Sequence, residues 1–339
     1  RYCGKDLAQD KETYTIAISM ELFALTIEKI PLAPSRARQV NSRATDDEKS
    51  LAESVIGAFG WLSRQLRADL SFGYSWSAQR KNEATVADLI EINKLVDYAK
   101  ETAGSSLVFR GDVLGSTDDL RLVVFADSSL NNVDDEALGK LGEKVKSQLG
   151  FVCLLCDDGL FKHGEGPVHV LDWASTRIRR VCRASMAAEA HALTEGAEAL
   201  EWIRAIYYEL AAPGRPLGPL LDDSAVVLPA QWYDDAHSLV SHLLADAGQI
   251  ADRRVRVVIA ALRELLARED TFLEWCDTSV QLADALTKLD AERGFLRMVW
   301  ESGLATIRPS SDAIESKKAI RAARHRRADA ARAEKARRS

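Results

Sequence analysis

The sequence predicts an α/β fold in which helices flank a mixed five-stranded sheet, and two features predict it. Three apolar runs with strand composition follow one another after residue 119, which is typical of a meander. Beyond them, two further apolar runs alternate with segments of helical periodicity. The predicted order is therefore three strands, a helix, a strand, helices, a strand and a helix.

Each predicted strand is a short apolar run that is followed by polar or turn residues. The five runs are LRLVVFAD, GFVCLLCDD, VHVLDWAS, AVVLPAQWYDD and TFLEW. A long helix containing SMAAEAHAL lies between the third and fourth runs, and a short helix follows Asp235. Two more helices are expected at about residues 254–267 and 280–301.

The chain before residue 119 predicts smaller units. Its first thirty residues suggest two strands and a short helix that begin within a domain, so that we expect the chain to be part of a longer protein. After a connector rich in Pro, Ser and Arg, Thr45 and Glu48 form a capping-box pattern that opens a helix. A second helix is expected at about 85–102, and the two make a small helical module.

Composition limits the class of protein. The chain has 339 residues, of which 47% are hydrophobic, and no apolar run is long enough to span a membrane. Its five cysteines are too few, and odd in number, for a disulfide framework in a chain of this length, which favours a reducing, cytoplasmic or nuclear compartment over secretion. The formal charge of −6 combines a basic tail of about +8 at 317–338 with an acidic remainder of about −14, and the tail is either a solvated helix or a phosphate-binding arm.

Glu189 occupies an unexpected place on the long helix. At 100° per residue it lies within about 60° of Met186, on the apolar stripe that Leu193 and Leu200 continue. A buried, ionised carboxylate without a partner costs several kcal/mol. This glutamate is therefore either turned to solvent at the margin of the stripe or retained for chemistry.

Two aspartates end apolar strand runs and could meet this glutamate. Asp127 ends the first run and Asp234 the fourth, and the carboxyl ends of parallel strands collect at one edge of a sheet. Converging carboxylates repel one another unless a divalent cation lies among them, and an all-oxygen ligand set suits Mg²⁺ or Mn²⁺. Taken singly, each acid has a simpler explanation. Asp127 could form a turn, Asp234 and Asp235 could cap a helix, and Asp284 could lie on a solvent-exposed helix face.

The order of the motifs resembles one family. FADSS, VLDWAST, SMAAEAHAL, WYDDAHSL and LEWCDTSVQLADALTK look like the ribonuclease H domain of copia-type LTR retrotransposon polyproteins. Upstream, TDDEKSLAESVIGAFGWLSRQLRADLSFGYS resembles the thumb of the same polyprotein's reverse transcriptase, and YCGKDL resembles its primer-grip turn. The resemblance covers about residues 1–303, and the chain lacks the Y-V-D-D strand of the polymerase active site.

The resemblance implies a fold, a site and an activity. It implies a ribonuclease H-like domain in which Asp127, Glu189, Asp234 and Asp284 hold Mg²⁺ or Mn²⁺ as the catalytic residues. The implied reaction is endonucleolytic hydrolysis of RNA in an RNA:DNA hybrid by a two-metal mechanism. The partners would be nucleic acid and the upstream palm and fingers of the polyprotein, with no membrane.

The resemblance also sets the expected domain boundaries. These are a palm remnant at 1–35, a helical thumb at 36–105, a linker at 106–118, the ribonuclease H-like domain at 119–303 and a basic tail at 304–339. Two alternatives remain. The chain could be an inactive relic that serves as a nucleic-acid-binding or structural module, or a recombinase of the same fold, although the glutamate of a recombinase is expected late in the chain.

Overall fold

The computed structural model describes residues 2–111, 113–115, 119–130, 147–211, 228–245, 250, 252–268, 270–288, 291 and 293–309. Within these ranges the chain builds a three-stranded sheet and a six-stranded sheet. Residues 131–146 and the part of the expected basic tail (304–339) that follows residue 309 lie outside the described residues.

The smaller sheet is antiparallel and has the strand order β1-β2-β3. Its strands are β1 (Asp6–Gln9), β2 (Ile16–Ser19) and β3 (Ser106–Phe109). The first four residues of the expected linker at 106–118 form β3, which pairs with β2 from Ser106↔Ser19 to Phe109↔Ile16. This pairing joins residues about ninety positions apart, so the local sequence does not reveal it.

The helical module lies between β2 and β3. Its helices are α1 (Glu21–Thr26), α2 (Pro34–Ala37), α3 (Asp46–Gln65), α4 (Ser71–Arg80) and α5 (Val86–Glu101). The predicted capping box is confirmed: the Thr45 side chain accepts from the Glu48 N–H, and the Glu48 carboxylate accepts from the Thr45 N–H at 2.8 Å. The chain between the two predicted helices adds α4, which a short 3-10 turn at Ala68–Leu70 separates from α3.

The larger sheet confirms the predicted α/β class with a mixed sheet. Its strands are β4 (Leu120–Ser129), β5 (Gln148–Asp157), β6 (Glu165–Arg177), β7 (Ala230–Asp234), β8 (Thr271–Trp275) and β9 (Leu304–Thr306). Their order is β8-β7-β4-β5-β6-β9, with β4 antiparallel to β5 and parallel to β7. The five predicted strands are present, and the three residues of β9 extend the edge beside β6.

The remaining helices pack against this sheet. They are α6 (Asp158–His163), α7 (Ser185–Ala211), α8 (His237–Leu244), α9 (Arg253–Leu266) and α10 (Arg293–Ser302). The single helix predicted at 280–301 is wrong. The chain instead makes two 3-10 turns, at Thr278–Val280 and Leu282–Leu286, before α10, because Gln281 is extended and its side chain accepts from the Ala283 N–H.

Side chains of β4 alternate between two apolar cores, one on each face of the larger sheet. Val124 and Ala126 face α7 and share a core with Leu193 and Trp232. Phe125 faces the other way, into the core that contains the helical module. The module therefore covers one face of the sheet and α7 covers the other.

Polar contacts reinforce the packing of the helical module on the sheet. The Trp173 indole N–H of β6 donates to the Ser63 carbonyl of α3 at 2.9 Å. The buried amide of Gln148 in β5 donates to Ser75 of α4 at 2.8 Å and accepts from Gln79 at 3.1 Å. The module and the sheet thus share one continuous core and a buried hydrogen-bond network. Among the helices of the described ranges, none combines the length and apolarity that crossing a bilayer requires.

Candidate active site

Asp127 lies near the end of β4, at the rim of the larger sheet. β4 continues to Ser129, so Asp127 is a strand residue rather than the first residue after the strand. It is 2% exposed and sits opposite Gly150 of β5. On its other side β4 runs parallel to β7, with Phe125 opposite Tyr233.

Asp234 ends β7 and Asp235 follows it, and because successive strand residues alternate, their side chains point to different faces of the sheet. The rings of Phe125 and Tyr233 stack 5.0 Å apart on one face, and two residues further along each strand come Asp127 and Asp235. Asp127, Asp235 and Glu189 offer carboxylate oxygens that all lie within 4.8 Å of one another. Asp234 points to the opposite face, where it is completely buried.

The close approach of α7 to the sheet brings Glu189 to this rim. Gly196, two turns after Glu189, lies over β4 and β5, and a Cβ at that position would come within 2.8 Å of Val124 Cγ2. Glu189 itself is 7% exposed, so it is not turned to solvent. Of the two alternatives that the sequence leaves open, the structure therefore excludes the one in which Glu189 turns to solvent at the margin of the stripe.

The 3-10 turn at Leu282–Leu286 carries Asp284 and is attached to β4 at both of its ends. The Gln281 amide donates to the Ala126 carbonyl at 2.9 Å, and the Ser129 hydroxyl donates to the Thr287 carbonyl at 2.8 Å. These bonds hold the turn against the strand on either side of Asp127. Asp284 is half-buried, on the solvent side of the cluster.

Two side chains that the sequence analysis did not identify contact Asp127. The Thr287 hydroxyl donates a hydrogen bond to Asp127 Oδ2. The Lys288 ammonium pairs with Asp284 Oδ1 and lies 3.8 Å from Asp127 Oδ2. Both residues lie within four positions of Asp284 in the sequence, and this closeness is the one sequence feature that could have indicated their place in the site.

The electrostatics of the site are those of crowded, buried acids. The pKa of Glu189 is raised to about 10, chiefly by burial and then by the charge of Asp127. The pKa of Asp127 is raised to about 7 by burial, although the Lys288 charge lowers it. Burial also holds the pKa of Asp234 well above its usual range. A positive charge among these groups would relieve their repulsion.

The residues present fit a divalent cation. The donor set consists of carboxylate oxygens, which Mg²⁺ and Mn²⁺ prefer. Two of its oxygens, Glu189 Oε2 and Asp234 Oδ2, are buried and accept no hydrogen bond from the described residues. A buried acceptor without a donor costs about 1–3 kcal/mol, a cost that a bound cation would offset.

The four acids expected from the sequence are all near the rim, but only two belong to the tight group. Asp127 and Glu189 are in that group, and its third member is Asp235, which the sequence analysis treated only as half of a helix-cap pair. The charge of Asp234 is one cause of the raised pKa of Glu189, and the charge of Asp284 is one cause of the raised pKa of Asp127. All five acids therefore share one electrostatic environment.

Asp234 and Asp235 differ in their hydrogen bonds. Asp234 Oδ1 accepts from the Ala236 N–H at 2.7 Å, which leaves Oδ2 without a donor in the described residues. Asp235 is half-buried; its Oδ2 accepts from the Thr278 hydroxyl at 2.7 Å, and its carbonyl accepts from the Trp275 indole at 2.8 Å. One oxygen of each carboxylate therefore accepts a hydrogen bond, and the second oxygen of Asp234 is buried without a donor among the described residues.

Gly150 is expected to be necessary for the assembly of this site. A Cβ on Gly150 would come within 2.6 Å of Leu286 Cβ, so Gly150→Ala would push the 3-10 turn away from Asp127. We expect a loss of about 1–3 kcal/mol in the free energy of unfolding, measured by urea denaturation, as for other overpacked sites. The matched control is Gly57→Ala in α3, where a Cβ meets nothing within 4 Å and no loss is expected. Equal stability of Gly150→Ala and the parent chain would contradict the close packing.

The stability of the metal-free protein is expected to fall as pH rises. The unfolded pKa of Glu189 is near 4.5 and the folded value is about 10, so between these values the folded state binds more protons than the unfolded state. Stability therefore falls by up to about 1.4 kcal/mol per pH unit. Urea denaturation in EDTA from pH 7.0 to 8.5 measures this slope.

Glu189→Gln is the control for the pH profile, because it removes one titrating group and should make the slope shallower, while Asp234, whose pKa burial also raises, continues to contribute. The range avoids the two half-buried histidines, His169 and His191, whose pKa values burial lowers below 6.5. The same slope in both proteins would show that Glu189 does not carry the raised pKa.

A basic loop precedes the helix that carries Glu189. The loop between β6 and α7 contains exposed Arg179, Arg180 and Arg183. Arg180, Arg183, His191 and Arg254 line a pocket between this loop and the start of α9, together with Asp252. The loop leads directly into α7, the helix that carries Glu189, and its guanidinium groups suit contacts with phosphate.

Comparisons with known proteins give distant structural similarities. No protein-family model and no curated protein matches the chain. LC11-RNase H1, solved in complex with an RNA/DNA hybrid, is 14% identical, with a TM-score of 0.31 over 49% of this chain and 93% of that chain. RNase H1 from the archaeon Halobacterium salinarum NRC-1 is 18% identical, with the same TM-score and coverage.

A third similarity is to a larger protein. The protease-reverse transcriptase of prototype foamy virus is 13% identical, with a TM-score of 0.27 over 59% of this chain and 24% of that chain. All three similarities are too distant to assign an activity to this chain.

Proposed function

We propose that residues 119–303 form a ribonuclease H-like domain that hydrolyses the RNA strand of RNA:DNA hybrids. The observation that carries this proposal is the group of carboxylate oxygens of Asp127, Glu189 and Asp235, all within 4.8 Å of one another at the rim of a mixed sheet. The proposed ligands of Mg²⁺ or Mn²⁺ remain the four acids expected from the sequence, with Asp235 beside them. When bound, such ions would supply the positive charge that polarises a phosphodiester and acidifies a water molecule.

Different residues of the chain would bind the ions, orient a ligand and contact the substrate. Asp127 and Glu189 present oxygens from the sheet and from α7, and Asp284 presents one from the solvent side. The Thr287 hydroxyl fixes the orientation of Asp127 by donating to Oδ2. The arginines of the β6–α7 loop are placed to bind phosphates of the substrate, and recognition is expected through the minor groove and the 2′-OH.

We further propose that the chain is the C-terminal part of a copia-type LTR retrotransposon reverse transcriptase. Support comes from the motif order and from the position of the helical module directly before the sheet, as the resemblance implies for a thumb. The five expected domains and the cytoplasmic or nuclear location belong to this proposal. The upstream palm and fingers would be its covalent partners.

A cleavage assay on the full chain tests the proposed activity. A 5′-labelled RNA annealed to DNA is incubated with the protein in Mg²⁺ or Mn²⁺, beside the same RNA in duplex RNA and a matched duplex DNA. We expect cleavage of the hybrid alone, and none in EDTA. A folded chain that leaves the hybrid intact in both metals would support the inactive relic, and equal cleavage of duplex DNA would contradict hybrid specificity.

A further inference from the structure

Lys288 occupies the space between two of the proposed metal ligands. Its ammonium contacts Asp284 Oδ1 and lies 3.8 Å from Asp127 Oδ2. The side chain is 38% exposed, whereas that of Asp127 is 3% exposed. Lys288 therefore reaches inward from the surface, to the point where a buried and a half-buried carboxylate converge.

Among the ion pairs of the described residues, Lys288 is the one cation bound to the acids of the rim. Glu189 Oε2 and Asp234 Oδ2 have no hydrogen-bond partner among the described residues. Within these ion pairs, the ammonium therefore partly offsets the repulsion among the rim acids, as a divalent ion would.

A divalent ion that bridges Asp127 and Asp284 cannot share this position with the ammonium. Mg²⁺ lies about 2.1 Å from its ligand oxygens, and an ammonium in contact with one of the same oxygens would overlap it and repel it. Asp127 Oδ2 also accepts from the Thr287 hydroxyl. An ion bound through Asp127 Oδ2 would therefore be repelled by Lys288 in its present position.

We propose that Lys288 is a built-in competitor of one divalent ion. It stabilises the metal-free site by pairing with Asp127 and Asp284, and it is displaced outward when an ion bridges them. It thereby raises the ion concentration at which the site fills. Its exposed stem allows this movement without disturbing the core. The inference rests on the proposed function, because it takes these two acids as ligands.

Calorimetric titration of the full chain with Mn²⁺, without nucleic acid, tests the inference. Lys288→Met keeps the length of the side chain and removes its charge, and we expect it to bind Mn²⁺ about tenfold more tightly than the parent. Lys288→Arg keeps the charge and should bind within about threefold of the parent. In EDTA the melting temperature of Lys288→Met should be lower, and Mn²⁺ should raise it more than it raises that of the parent.

Asp127→Asn distinguishes a failure of the competitor role of Lys288 from a failure of the proposed metal site. If Asp127→Asn loses Mn²⁺ binding but Lys288→Met binds as the parent does or more weakly, the competitor role is overturned and the metal site stands. If the parent binds no Mn²⁺, or Asp127→Asn binds it equally well, the proposed site itself is wrong. Should Lys288→Met not fold, Lys288→Gln provides the same loss of charge with a polar end.

Discussion

Asp127→Asn is expected to lower the rate of Mg²⁺-dependent hybrid cleavage by about a hundredfold to a thousandfold while leaving the fold intact. Asparagine has the shape of aspartate, and its carbonyl can still accept from the Thr287 hydroxyl. It lacks the negative charge that a divalent ion requires. The measurement is single-turnover cleavage of a labelled RNA:DNA hybrid at saturating protein.

The stability of the same variant distinguishes a lost ligand from a damaged fold. Burial raises the pKa of Asp127 to about 7, so the ionised side chain is destabilising in the metal-free protein above that pH. In EDTA at pH 8, Asp127→Asn should therefore melt at the same temperature as the parent or higher. Glu198→Gln, at an exposed position of α7, removes one negative charge away from the site and is the control that should change neither property. Cleavage by Asp127→Asn at the parent rate would remove Asp127 from the site.

Asp234→Asn and Asp235→Asn are expected to differ by about a hundredfold in their effect on cleavage. Asp234 is completely buried with an unpartnered Oδ2, a costly arrangement that a bound ion would relieve. Asp235 is half-buried, and the Thr278 hydroxyl already donates to it. We expect a loss of about a thousandfold for Asp234→Asn and about tenfold for Asp235→Asn.

The opposite ranking of these two variants is the informative alternative. Asp235, not Asp234, shares the tight oxygen group with Asp127 and Glu189. If Asp235→Asn is the more damaging change, Asp235 is the ligand and Asp234 serves the turn in which it accepts from the Ala236 N–H. Cleavage rates and Mn²⁺ titrations of both variants, measured together, decide between the two assignments.

Much of the site could be predicted from local sequence. Helical periodicity is regular, so it puts Glu189 on the apolar stripe, and the end of an apolar run puts Asp127 at the rim. The local sequence does not show which of Asp234 and Asp235 shares a face with Asp127, because adjacent strand residues point to opposite faces and a shift of one residue exchanges them. The alternation that pairs Phe125 with Tyr233 on one face becomes visible only when the parallel register is known.

Other features depend on contacts distant in sequence. The segment after Gln281 has a helical pattern, yet it forms a 3-10 turn because the Gln281 amide binds the Ala126 carbonyl, 155 positions earlier. The position of Lys288 follows from that turn. The strand β3 similarly forms only because β2 offers it an edge. Propensity and periodicity carry no information about such partners.

The packing of α3, α4 and α5 on one face of the nuclease-like sheet has a consequence for dissecting the chain. A fragment that begins at residue 119 would expose to water the apolar face now covered by these helices. It would also strip the buried Gln148 amide of its Ser75 and Gln79 partners. The segment that resembles a polymerase thumb therefore supplies part of one of the two apolar cores that enclose the sheet, and an excised fragment of the proposed nuclease domain would need a replacement for it to remain soluble.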